Sequence, residues 1–139
     1  MAKKKVLFLC TGNSCRSQMA EGFARRLGGE LMEVCSAGIA PVGINPRAVQ
    51  VMEEVGVDIT GQSSTAFVPE MLQNVDLVIT LCGDARESCP AVPGRVEKRH
   101  WSLPDPARAE GSSAEVLAAF RSVRDAVKKY VEELVAELG

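Results

Sequence analysis

The run "KVLFLC", Lys5 to Cys10, is apolar through Leu9 and breaks at once into the small polar cluster "TGNSCRS", Thr11 to Ser17. An apolar run this short, closed by Gly12, has the pattern of a central parallel strand covered on both faces. From Ser17 the spacing changes. Met19, Phe23 and Leu27 recur every four residues with Ala20 and Ala24 beside them, and Gly28 and Gly29 follow as a stop. A strand passing through a tight loop into a helix commits the chain to crossover connections and a parallel sheet. Any site is then expected at the carboxyl ends of the strands.

The rest of the chain repeats this alternation. "LMEVCSAG" (Leu31 to Gly38) reads as a second strand, with Cys35 as a small core residue. Asn45 as N-cap, Pro46 at the first helical position and Gly56 beyond the end frame a helix with Val49, Met52 and Val55 inward. "VDLVITLC" (Val75 to Cys82) is the clearest buried strand, and "RVEKRHWSL" (Arg95 to Leu103) is a fourth, more charged one. The tail places Val116, Phe120, Val123, Val127, Tyr130 or Val131, Leu134 and Leu138 at helical spacing behind a Ser112-x-x-Glu115 capping box. An α/β fold in one domain, residues 1-139, is expected.

Composition removes several classes of function. With scattered basic residues and a formal net charge of -2, no nucleic-acid-binding surface is expected. No stretch approaches the roughly 18 apolar residues of a membrane span. The opening "MAKKKVLFLC" imitates an export signal, but Val6 to Leu9 is too short for its apolar core. A cytoplasmic protein, monomeric and not bound to membranes, is expected. Five cysteines, an odd number, suit thiols kept reduced at rest rather than a disulfide framework.

Three readings compete for Cys10 and Cys15: a metal site, a disulfide, or a reactive thiolate in an anion-binding loop. A small-residue loop between a strand and a helix gathers backbone N–H groups at a helix N-terminus, which attracts an anion. The same field, with Arg16 nearby, favours thiolate at Cys10, and Arg16 offers two parallel hydrogen bonds to a tetrahedral oxyanion. The C-x5-R pattern is therefore chemically coherent, although a plain turn with buried cysteines has the same spacing. Zinc is disfavoured, because Cys82 and Cys89 are too far apart for a ligand pair and His100 is the single histidine. His100 is expected to make an ordinary hydrogen bond. Cys82 ends a strand that should neighbour the first, and Cys89 follows the polar "GDARES". The two either form a thiol relay with Cys10 or are incidental.

Four segments together resemble a known family. "CTGNSCRSQMAEG" (Cys10 to Gly22), "SAGI" (Ser36 to Ile39), "TLCGDARESCP" (Thr80 to Pro90) and "HWSLPDPAR" (His100 to Arg108) are similar to the thioredoxin-coupled arsenate reductases, built on the low-molecular-weight protein tyrosine phosphatase fold. The resemblance spans essentially the whole chain. It implies a three-layer sandwich with a four-stranded parallel sheet flanked by helices, and no organic cofactor. It also implies that Cys10 attacks arsenate while the loop of Thr11, Gly12, Asn13, Ser14, Cys15, Arg16 and Ser17 binds the oxyanion. Asp105 would be the general acid, a role that like-charge repulsion from a bound dianion favours. Cys82 and Cys89 would complete the relay, with thioredoxin as reductant.

The same fold serves phosphatases. Phosphotyrosine-specific relatives carry an aromatic residue after the Asp-Pro of the acid loop, whereas here Ala107 follows Asp105-Pro106. A non-catalytic redox or anion sensor is the rival from another class. Some members of the family bind potassium through residues matching Asn13, Glu21 and Ser36, which are all present. Thr65 stands where those members often have an aspartate.

Overall fold

The computed structural model describes residues 3–81 and 94–139. Four strands form one sheet: β1 (Lys4–Cys10), β2 (Met32–Gly38), β3 (Leu77–Thr80) and β4 (Glu97–His100). Three α-helices accompany them among the described residues: α1 (Arg16–Gly28), α2 (Pro46–Glu53) and α3 (Ser113–Leu138). The strand order is β2-β1-β3-β4 and every pairing is parallel. This is the α/β sandwich expected from the sequence.

Register fixes what meets at the carboxyl end. Cys10 pairs with Gly38 of β2, Leu9 with Thr80 of β3, and Thr80 with His100 of β4. Val6, Leu7, Phe8 and Leu9 are all fully buried, so both faces of β1 are covered, as its unbroken apolar run requires. Phe8 lies against Trp101, and Trp101 stacks on Tyr130 of α3 with ring centroids 5.0 Å apart. Val131 is fully buried and Tyr130 half-buried, so both candidates at that turn contribute to the helix's packing. The Ser112–Glu115 capping box opens α3 as expected, with both of its hydrogen bonds present.

Several expectations need correction. Leu27 is 39% exposed and Val55 37%: at the end of α1 it is Gly28 that is buried, close to Met32 and Val135, and Val55 lies in the turn after α2 has ended at Glu53. The inward face of α2 is Ala48, Val51 and Met52, with Val49 only half-buried. Cys35 is exposed rather than in the core. It lies on β2, an edge strand with one neighbour and a mixed burial pattern. The fourth strand is limited to Glu97–His100, also at an edge, and the third stops at Thr80. Cys82 and Cys89 lie outside the described residues.

His100 does make an ordinary hydrogen bond, 2.7 Å between its Nδ1 and Thr80 Oγ1. Two carboxylate clasps tie the outer elements to α3. Glu54, just after α2, bonds Arg121 and Arg124, and Glu137 bonds Arg99 of β4.

Candidate active site

The loop between β1 and α1 is built by turning its carbonyls outward. The carbonyl of Cys10 accepts from the Ile39 amide at 3.1 Å, that of Thr11 from Ala40 at 2.8 Å, and that of Gly12 from Val42 at 3.0 Å. The Asn13 carbonyl accepts from Gln18 Nε2 at 2.9 Å and that of Ser14 from the Asn45 amide at 3.1 Å. In a trans peptide the next residue's N–H points opposite the carbonyl. The five engaged carbonyls therefore aim the following amides toward the inside of the loop, at the N-terminus of α1. Backbone N–H groups gathered in this way form an anion cradle.

Asn13 is the loop's hinge. It is fully buried with φ +47°, the left-handed region that asparagine tolerates better than most residues. Its amide donates to Cys10 Sγ at 3.2 Å. Its Oδ1 accepts from the Thr65 amide at 2.7 Å, which leaves Nδ2 to donate to Ser17 Oγ at 2.8 Å. Ser17 Oγ lies 2.9 Å from Cys10 Sγ. With Asn13 already donating to its oxygen, the Ser17 hydroxyl proton is available to a Cys10 thiolate. The Asn13 amide thus donates to this sulfur, and the Ser17 hydroxyl can join it when the sulfur is a thiolate.

Cys15 differs from its neighbour. Burial pushes its thiol up to about 11, against a smaller opposing effect of the Ser14 hydroxyl. Of the two loop cysteines only Cys10 carries the donors suited to a thiolate.

Arg16 is largely buried and reaches across the carboxyl ends of the sheet. Its Nη1 donates to the Leu103 carbonyl at 3.0 Å and, more weakly, to that of Leu81 at 3.4 Å. Its Nη2 lies 3.8 Å from Asp105 Oδ2. Asp105 opens a short 3-10 turn (Pro106–Arg108) and its Oδ1 accepts from the Ala107 amide at 3.0 Å. Arg108 Nε is also 3.8 Å from Oδ2. One cavity of about 650 Å³ is lined by Cys10, the loop, Arg16, Asp105, Ala107 and Arg108. The Cys10, Arg16 and Asp105 side chains expected from the sequence therefore share one cleft, with no aromatic platform among its described lining residues.

Some contributors escaped the sequence reading. Gln18 is fully buried, holds the Asn13 and Ser63 carbonyls through Nε2 and accepts from Gln62. The Thr65 backbone fixes the Asn13 amide. Gly38 is required because a Cβ there would stand 2.7 Å from the Thr11 carbonyl oxygen and 2.9 Å from the Asn13 backbone nitrogen. A glutamine in the first turn of a helix with an apolar face is the single available signal; the other two contacts join distant segments.

Comparison with known proteins agrees with this geometry. Residues 5–139 match the family described as low molecular weight phosphotyrosine protein phosphatase. A protein named arsenate reductase from Bacillus licheniformis is 51% identical over 139 residues, covering 100% of this chain and 99% of that protein. A solved structure described as an arsenate reductase in the oxidized state superposes with a TM-score of 0.83 at 40% identity, covering 98% and 99% of the two chains. A thioredoxin-dependent arsenate reductase from Corynebacterium glutamicum superposes with a TM-score of 0.79 at 27% identity, covering 98% of this chain and 62% of that one.

Proposed function

We propose a reaction for a chain that belongs to the low molecular weight phosphotyrosine protein phosphatase family and, within it, to the arsenate reductases: arsenate is reduced to arsenite by Cys10, through a relay with Cys82 and Cys89 that thioredoxin resets. The observation that carries the reading is the convergence of Cys10 Sγ, the inward amides and Arg16 on one cleft that also holds Asp105.

The loop amides replace the hydration of a bound oxyanion, and Arg16 neutralises part of its charge. Cys10 attacks arsenic, forming a sulfur–arsenic bond. An arsenic–oxygen bond breaks and the departing oxygen takes a proton from Asp105. With Oδ1 engaged by the Ala107 amide, Oδ2 is the oxygen left to face the departing group. Cys82 then attacks the Cys10 sulfur. The sulfur–arsenic pair of electrons stays on arsenic, which leaves as arsenite, and a Cys10–Cys82 disulfide remains. Cys89 attacks Cys82, frees Cys10 and leaves a Cys82–Cys89 disulfide for a dithiol reductant. The two electrons come from the thiols, so the chain needs no organic cofactor.

The thioredoxin assignment is supported by the resemblance and by the thioredoxin-dependent C. glutamicum neighbour. No helix among the described residues is long and apolar enough to cross a membrane. A chemistry that starts from free thiols suits a reducing cytoplasm. A monomer suffices, because one chain supplies every group used.

Phosphate-ester hydrolysis is the second reading, favoured by the presence of Cys10, Arg16 and Asp105 in one cleft. Ala107 gives an aryl ester nothing to stack on, so this is a weak side reaction. The assay that tests the proposal contains purified protein, thioredoxin, its reductase and NADPH, with and without arsenate. Sustained NADPH oxidation that requires arsenate and Cys10 supports the reductase. Its absence, with the fold intact, rejects the reaction and leaves a phosphatase or a non-catalytic sensor.

A further inference from the structure

Glu21 is a carboxylate buried on α1, one turn after Ser17, with only 4% of the residue exposed. A carboxylate in that position must be compensated by charge and hydrogen bonds or it will not stay ionised. Its Oε1 accepts from Ser36 Oγ of β2 at 2.6 Å and its Oε2 pairs with Arg25 Nη2 at 2.8 Å. The same Arg25 nitrogen donates to the Val34 carbonyl of β2 at 3.3 Å. Burial pushes the Glu21 carboxyl above its ordinary value, and the Ser36 bond and then the Arg25 charge offset only part of that rise.

The carboxylate that would dominate potassium binding is therefore already paired with a cation. Asn13 Oδ1 accepts from Thr65, the Ser36 hydroxyl gives its proton to Glu21, and the remaining Glu21 oxygen faces a guanidinium. Thr65 supplies no second carboxylate. One negative and one positive side chain leave the cluster neutral, and an incoming monovalent cation would meet Arg25 at its main anionic ligand. These residues do not fit a resident potassium ion.

We propose that Arg25 is this chain's built-in counter-cation, a positioning residue that holds Glu21 against Ser36 without help from a bound metal ion. The link matters for the oxyanion loop because it fixes α1 to β2, the two elements that hold the loop. Ser17 of α1 bonds Cys10, and Gly38 of β2 packs against Thr11 and Asn13. The structure of the loop should then be indifferent to potassium. This inference concerns the folded loop rather than the reaction, so it stands or falls apart from the arsenate reading.

The test is thermal unfolding of the wild-type protein, Arg25→Ala and Arg25→Lys in potassium, sodium or choline chloride at one ionic strength. Arg25 is 58% exposed at its side chain, so the variants are expected to fold; Arg25→Gln replaces the alanine variant if that one does not. Wild type and Arg25→Lys should melt at the same temperature in all three salts. The neutral variant should melt lower in choline and recover selectively in potassium, as the uncovered Glu21 oxygen takes the ion. A potassium-selective rise in the wild-type melting temperature overturns the proposal, as does a neutral variant that shows no potassium-selective recovery.

Discussion

Arg16 and Asp105 face each other across the cleft, Nη2 3.8 Å from Oδ2, although one follows the central strand β1 and the other follows the edge strand β4. The separation is long for a hydrogen bond, so the pair is an electrostatic contact that an incoming oxyanion can divide. The anion would draw Arg16 to itself and leave Asp105 Oδ2 directed at the departing oxygen.

Asp105→Asn should therefore lower the arsenate-dependent rate by about 10²- to 10⁴-fold, the usual worth of a general acid. Oxyanion affinity, measured by titration calorimetry with phosphate, should be largely retained. A variant with full activity removes Asp105 from the mechanism.

The Asn13 side chain joins Thr65 to Ser17 from a fully buried position. Asn13→Ala leaves the Thr65 amide without its acceptor, and losing such a buried partner costs about 1–3 kcal/mol. Reduced stability in denaturant and weakened phosphate binding are expected together. Unchanged stability and unchanged binding would show that the loop does not depend on this amide.

Much of this site was legible because local pattern and chemistry coincide in it. The apolar Val6–Leu9 run, the small loop and the Met19/Phe23 spacing specify strand, turn and helix within one short segment, and they place Cys10 and Arg16 at its junction. Asp105 was reachable through its motif but not through periodicity. Cys35 was misplaced because an apolar-looking strand carries no mark of lying at a sheet edge, where one side faces solvent. Leu27 and Val55 depart from the helical spacing because a small residue, Gly28, takes the buried place at the end of α1, and because α2 stops at Glu53, before Val55. Thr65 and Gly38 act through contacts between segments far apart in the chain, and no spacing encodes those.

Burial holds Cys15 at about 11, so at neutral pH it is a neutral thiol beside Cys10. Iodoacetamide at pH 7 should label Cys10 well before Cys15, as read by peptide mass mapping. Cys15→Ser should keep arsenate turnover near the wild-type rate. Labelling of both cysteines at equal rates would contradict this division of roles.

Glu54 is held down at about 2, first by hydrogen bonding to Arg121 and also by that to Arg124. Its value in the unfolded chain is near the ordinary 4.3 or so. A carboxyl depressed in the folded state adds stability above that ordinary value and loses it as pH falls toward the folded one. Glu54→Gln should melt below wild type at pH 7, with the gap closing between about pH 4 and pH 2. High salt should also narrow it, since the Arg121 side of the clasp is exposed. A gap independent of pH would mean that the carboxylate charge contributes nothing.

The three-cysteine relay separates a reductase from a phosphatase of the same fold, and a single arsenate pulse to Cys89→Ser tests it most directly. Cys10 can still attack arsenate and Cys82 can still attack Cys10, so one arsenite per chain should be released. The protein should then stall with Cys10 joined to Cys82, as mass mapping would show, because no internal thiol remains to resolve that bond. Wild type treated in the same way should end with Cys82 joined to Cys89. Repeated thioredoxin-coupled turnover by Cys89→Ser at the wild-type rate would contradict the relay.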